Sequence, residues 1–251
     1  MIRPYRETLL SHLYSGNQHS THCLEPAVTT FEQRLSLPPQ HRAKVVWRLD
    51  AGFGGDSNID WLLKQDYQIL AKGCSHRRAA KLATQVQRWR AVRDDKFVGR
   101  VTTPVQFARP VETFVTRHET SKGWKHSYLF STLKLSGVHT VRLYEQRGGA
   151  ETEFRADKSG LRLHKRRKHK RDSQEVWVIL TDMAHNYLAW LARSILTNSP
   201  FADYGLLRIS RDLLRIPGYI NMQQGKPLSV KLLRSSPYAA DLVACLERFW
   251  E

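Results

Sequence analysis

Tyr144, Arg147, Glu151 and Lys158 are four reactive side chains at successive spacings of three, four and seven residues. A helix turns once in about 3.6 residues, so this spacing predicts a helix with all four on one face. A phenol, a guanidinium and an ammonium can hold phosphate oxygens, the guanidinium through two parallel N–H groups. A carboxylate among them can hold a hard cation. The plainer reading is an amphipathic surface helix with an Arg147–Glu151 pair at i, i+4. Gly148 and Gly149 weigh on the helix, each costing about 1 kcal/mol relative to Ala. A break there would separate Tyr144 and Arg147 from Glu151 and Lys158.

A second acid stands apart. Ala43 to Asp50 is rich in β-branched and aromatic residues and predicts a strand with Asp50 at its C-terminal end. A glycine-rich loop follows, then a short helix over 57–65 capped by Ser57 or Asp56. Tyr67 to Lys72 reads as a second strand. Strand, helix and strand joined by short loops predict a parallel pair in an α/β sheet. Sites in such sheets form beyond the carboxyl ends of the strands, where Asp50 lies. The plain alternative for Asp50 is a turn aspartate.

The charge narrows the partner. Forty Lys and Arg stand against 23 Asp and Glu, giving a net charge of +17. That excess favours a polyanion such as nucleic acid. Residues 76–100 hold eight cations and only two acids, Asp94 and Asp95, while residues 162–171 hold seven cations in ten positions. The second block reads as a solvated loop that would also neutralise phosphates. Cys23, Cys74 and Cys245 are odd in number and widely spaced, so neither a zinc site nor a disulfide framework is expected. A reducing cytoplasm fits. No apolar run approaches the roughly 20 residues that a membrane span needs.

Other elements follow from pattern. Residues 5–14 read as a strand or its approach, 22–36 as a helix ended by Leu37-Pro38-Pro39, and 76–89 as largely helical. Val101–Phe107, Val111–Thr116 and Ser127–Thr132 read as short strands. Trp89 and Trp124, flanked by cations, either cover a small sheet or stack on an unpaired base. Ser173 to Leu196 carries Val176, Trp177, Leu180, Met183, Tyr187, Leu188 and Leu191 at helical spacing and reads as core, with His185 and Asn186 in packing or hydrogen-bonding roles. A helical piece near 204–214, a hairpin through Gln224-Gly225 and a last helix over 238–250 complete the chain.

The Tyr-x2-Arg-x3-Glu-x6-Lys spacing resembles the Tyr-Arg-Glu-Lys (YREK) signature of DDE transposases of bacterial insertion sequences. Arg48-Leu49-Asp50-Ala51-Gly52-Phe53 resembles the block with the family's second catalytic Asp, and residues 15–20 resemble the block before it. The resemblance implies a ribonuclease H-like mixed sheet with flanking helices and a β-rich insertion. It divides the chain into a first core part at 1–75, a basic and β-rich insertion at 76–140, a core part with the Glu-bearing helix at 141–200, and a C-terminal region at 201–251. It implies DNA cleavage and strand transfer, with Asp50 and Glu151 as catalytic residues and ligands of Mg2+ or Mn2+. Tyr144, Arg147 and Lys158 would bind DNA phosphate. Transposon ends and target DNA are the implied partners, bound by a homodimer. A further Asp is expected on a first strand, and no Asp precedes Asp50. The expectation is therefore an N-terminally truncated protein, with that strand missing and activity impaired. Two other readings stand beside it. A non-catalytic nucleic-acid-binding protein would not need Asp50 or Glu151. A metal-dependent nuclease would use them but join no ends.

Overall fold

A computed structural model describes residues 7–146, 158, 160–161 and 170–250. The chain divides into two compact units, residues 14–148 in one and residues 1–13 with 149–251 in the other.

In the first unit, α1 (Leu24–Leu35) follows a 3-10 turn at Ser20–Cys23. It stops where Ser36 turns left-handed and returns its N–H to Gln33 and Glu32, just before Pro38 and Pro39. Strand β1 (Val46–Leu49), helix α2 (Asp56–Lys64) and strand β2 (Gln68–Lys72) form the expected parallel unit, with Val46 opposite Gln68 and Leu49 opposite Ala71. Ile69, Leu70 and Ala71 are fully buried, the continuous apolar run of a strand covered on both faces. Helix α2 buries Ile59, Leu62 and Leu63 against it. Truncating such a side chain to Ala costs about 2–5 kcal/mol. The helix is capped by Gly55, not by Ser57 or Asp56. Asp56 is its first residue, and its carboxylate is taken by Arg78.

Helix α3 (His76–Ala83) is capped by Ser75 and ends well before Trp89. Then come β3 (Arg90–Arg93), β4 (Lys96–Val101), β5 (Glu112–Thr120) and β6 (Gly123–Ser131). The strand expected over 101–107 does not form beyond Val101. Pro104 lies inside this stretch and Pro110 follows it, and proline cannot donate to a ladder. The sheet order is β1-β2-β6-β5-β4-β3, with every pair after the first antiparallel. The β-rich stretch is thus hydrogen-bonded through β6 onto β2 and continues one mixed sheet. Helix α4 (Gly137–Glu145), capped by Ser136, closes over this sheet through Val141, which packs with Val92, Val98, Phe114 and Leu129.

The second unit is built on α5 (Arg171–Ser194). A helical stretch at Leu206–Arg208 (α6) runs into a π-helical turn at Ile209–Leu213, followed by the ribbon β7 (Gly218–Gln223) and β8 (Lys226–Leu232) and by α7 (Ala239–Trp250). Its core holds Leu188, Leu191, Ile195, Phe201, Ile209, Leu242 and Cys245. The ribbon turns through Gln224 and Gly225, both at positive φ (50° and 77°), as a tight hairpin requires.

Two expectations are corrected in this unit. Residues 7–13 form no strand. Asn186 grips Thr8 instead, its Oδ1 accepting from Thr8 N at 2.7 Å and its Nδ2 donating to Thr8 O at 2.8 Å. Ser11 donates to Asp182 and Glu7 pairs with Arg193 on the same helix. Side chains of α5 thus satisfy groups that a neighbouring strand would otherwise bind. The second correction concerns α5 itself. Its buried side is Thr181, His185, Leu188, Ala189 and Leu191. Val176, Leu180, Met183 and Tyr187, read as core, are more than half exposed. Helical periodicity marks an apolar face without saying what covers it.

Candidate active site

Asp50 leaves the end of β1 half-buried, beside the end of β2. Its Oδ1 accepts from Gly52 N at 3.0 Å and Phe53 N at 3.3 Å. The turn role foreseen for this residue is therefore real, and it orients the carboxylate. Among the described residues Oδ2 accepts no hydrogen bond, which leaves one oxygen of a fixed carboxylate for a ligand.

The loop after Asp50 is held on three sides. Ser20 Oγ donates to Gly52 O at 3.0 Å and ties the 15–20 block to it. Gly54 lies so close to β2 that an added Cβ would stand 1.8 Å from Lys72 O. Asp56 then receives both Arg78 nitrogens, Nη1 at 2.7 Å and Nη2 at 2.8 Å. This forked pair lifts the Arg78 pKa still further, its hydrogen bonds to Asp56 outweighing burial. Arg78 also leans on Tyr128, its Nη1 lying 3.5 Å from the phenol oxygen.

Arg48 links Asp50 to the motif region. Residues two apart on a strand share a face, so Arg48 and Asp50 lie on the same side of the sheet. Arg48 is exposed, and its Nη1 donates to Leu143 O at 3.1 Å. That carbonyl belongs to the last turn of α4, one residue before Tyr144. The last carbonyls of a helix lack internal partners and favour a cation. Arg48 therefore draws the end of the Tyr144 helix to the face of β1 from which Asp50 projects. The Arg-Leu-Asp alternation held this signal, since every second residue of a strand shares a face, but its partner is 95 positions away.

Tyr144 sits in the last turn of α4 with its ring packed against the Val92, Val98 and Phe114 cluster. The helix begins seven residues before Tyr144 and ends at Glu145, with Gln146 as its cap. Tyr144 is thus near the end of one helix, not near the start of a helix running through Glu151. Lys158 is helical and exposed. Arg147 and Glu151 lie outside the described residues, as does 162–169 of the basic block.

The neighbouring acid Glu145 is engaged by Lys96 and by Arg93 Nη1 at 3.4 Å. Arg93 also pairs with Asp95 at 2.7 Å and holds its carboxyl below the usual carboxylate range. Trp89 and Trp124 turn their rings to Arg117, whose guanidinium carbon lies 4.4 and 4.6 Å from the two centroids. Phe97 stands 5.1 Å from the same carbon. Both rings thus pack around this half-buried cation on the sheet.

Among the described residues no group of three or more His, Cys, Asp or Glu is placed to hold a metal ion. Asp50 fits one ligand position, a carboxylate with an unshared oxygen at a strand end. No helix among them is long and apolar enough to cross a membrane.

Two comparisons bear on this geometry. The family model described as Transposase DDE domain group 1 matches residues 6–250. No curated protein matches the chain.

Proposed function

Because the chain belongs to the family of transposase DDE domains, group 1, we propose that it acts on DNA in transposition through a site built from Asp50 and Glu151. The observation that carries this reading is the Arg48–Leu143 hydrogen bond, which brings the Tyr144 helix to the face of β1 that bears Asp50. Asp50 and Glu151 would hold a divalent cation, Mg2+ or Mn2+, which when bound activates an attacking oxygen and stabilises a leaving one in phosphodiester cleavage. Asp50 enters that site already oriented, since the Gly52 and Phe53 amides fix its Oδ1 and set Oδ2 free. Arg147 and Lys158 supply positive charge to the scissile phosphate, Arg147 through a fork of two N–H groups. Tyr144 contributes its phenol from the end of α4. The protein works in the cytoplasm on transposon ends of the insertion-sequence, YREK-bearing kind, and as a homodimer.

Two carboxylates neutralise a pair of dications poorly. With Asp50 and Glu151 as its carboxylates, the chain is therefore expected to bind DNA but to cleave it weakly. The test is Mn2+ binding, followed by electron paramagnetic resonance with DNA present, alongside cleavage and joining of end-sequence DNA. Asp50→Ala and Glu151→Ala should each weaken Mn2+ binding at least tenfold and leave DNA affinity within about twofold. Equal Mn2+ affinity in all three proteins would sink the proposed site and favour a non-catalytic nucleic-acid-binding protein. Hydrolysed ends without joined strands would point to a nuclease.

A further inference from the structure

The ribbon β7–β8 has no assigned role. It is a sheet of two strands, bonded among the described residues to no third. All six residues of β7 are exposed. Tyr219 is 82% exposed, Ile220 65% and Leu228 63%. An isolated two-stranded ribbon is marginally stable in water, and its open edges invite pairing. A ribbon that stands so far into solvent needs something to lie against.

Its two faces differ. Tyr219 opposes Lys231 and Asn221 opposes Ser229, which places four polar-tipped side chains on one face. Ile220 opposes Val230 and Gly218 opposes Leu232 on the other. Leu232 packs onto the core of its own unit and anchors the apolar face at its base. The charge is one-sided. No Asp or Glu occurs between Asp212 and Asp241, while Arg215, Lys226, Lys231 and Arg234 do. Arg215, Lys231 and Arg234 are exposed and make no ion pair among the described residues.

We propose that the ribbon binds in a groove of duplex DNA, with the face of Tyr219, Asn221, Ser229 and Lys231 toward the base edges and the cations at its foot against phosphates. The major groove, about 12 Å wide, admits a two-stranded ribbon. Asparagine can pair with an adenine edge and lysine with guanine. A stretch free of carboxylates meets no repulsion from phosphates flanking the groove. A second copy of this chain would bring like charge to like charge and is disfavoured on that ground. The ribbon thus gives the proposed transposase a DNA contact separate from Asp50, and it rests on that reading.

The experiment is fluorescence anisotropy of the whole chain on a labelled duplex across a range of salt. The double variant Asn221→Ala/Lys231→Gln should bind roughly tenfold more weakly, and its log affinity should fall less steeply with log salt, by about one in slope. Lys231→Arg, which keeps the charge, should keep the slope. Circular dichroism and the urea midpoint certify that each variant is folded. A folded double variant with unchanged affinity and slope overturns the proposal. So does a change of oligomeric state in light scattering with DNA affinity intact, since the ribbon would then be a protein interface. If the unaltered chain binds no duplex, the transposase reading falls as well. If it binds and the variant binds equally, only the ribbon's role is lost.

Discussion

Several side chains here do work that their types alone would not reveal. Tyr67 is fully buried, and its hydroxyl donates to Glu32 Oε1, which Arg42 Nε also approaches at 2.6 Å while Arg42 Nη2 donates to Oε2 at 3.1 Å. Burial, then the bond to Glu32, push the Tyr67 phenol well above its ordinary value near 10. The neutral phenol is thus favoured in the folded state. Its stabilising contribution is complete below about pH 10 and is lost as pH rises from there toward the raised folded value. Tyr67→Phe should therefore lower stability at neutral pH by about 1 kcal/mol and flatten the alkaline decline. Urea midpoints between neutral pH and the alkaline limit would check this. A variant that declines as steeply as the parent would show that another group governs the alkaline loss.

At the scale of elements, the loop between β1 and α2 matters most, because it sets the direction of Asp50. Its glycines are not equivalent. A Cβ on Gly54 would meet the Lys72 carbonyl at 1.8 Å, and backbone cannot yield as a side-chain tip can. Gly54→Ala should cost at least about 2 kcal/mol and move the loop off the end of β2. Gly55 is different. It caps α2 without a side chain, and its nearest neighbour is Thr21 Cγ2 at 4.0 Å. Gly55→Ser should hold stability or raise it by a few tenths of a kcal/mol, since serine can accept from the first free amides of the helix. Thermal unfolding of the two variants side by side tests the loop's seating. Equal melting temperatures would mean that the close approach at Gly54 is not kept in solution.

At the scale of the whole molecule, two units carry separate cores and separate basic regions. The unit spanning 14–148 has its own sheet and the buried set around Leu62, Tyr67 and Phe130. It should fold alone and unfold in one cooperative step. It lacks both the 162–171 block and the β7–β8 ribbon, so its DNA binding should depend less steeply on salt than that of the full chain. Anisotropy titrations of both proteins over the same salt series decide the matter, and equal slopes would place the phosphate contacts within 14–148.

The local character of most elements was legible in the sequence. The strand–helix–strand unit ending at Asp50 follows from β-branched runs and glycine turns, because short-range sterics and alternation dictate it. The hairpin at Gln224-Gly225 and the helix over 239–250 follow for the same reason. The net charge of +17 likewise favours a polyanionic partner such as nucleic acid. Only the tertiary structure decided how the pieces meet. The β-rich stretch joins the core sheet through β6, α4 rather than a later helix carries Tyr144, half the apolar residues of α5 face outward, and Arg48 spans 95 positions to reach Leu143. Periodicity reports which residues share a face. What that face meets depends on long-range packing, and no local pattern encodes it.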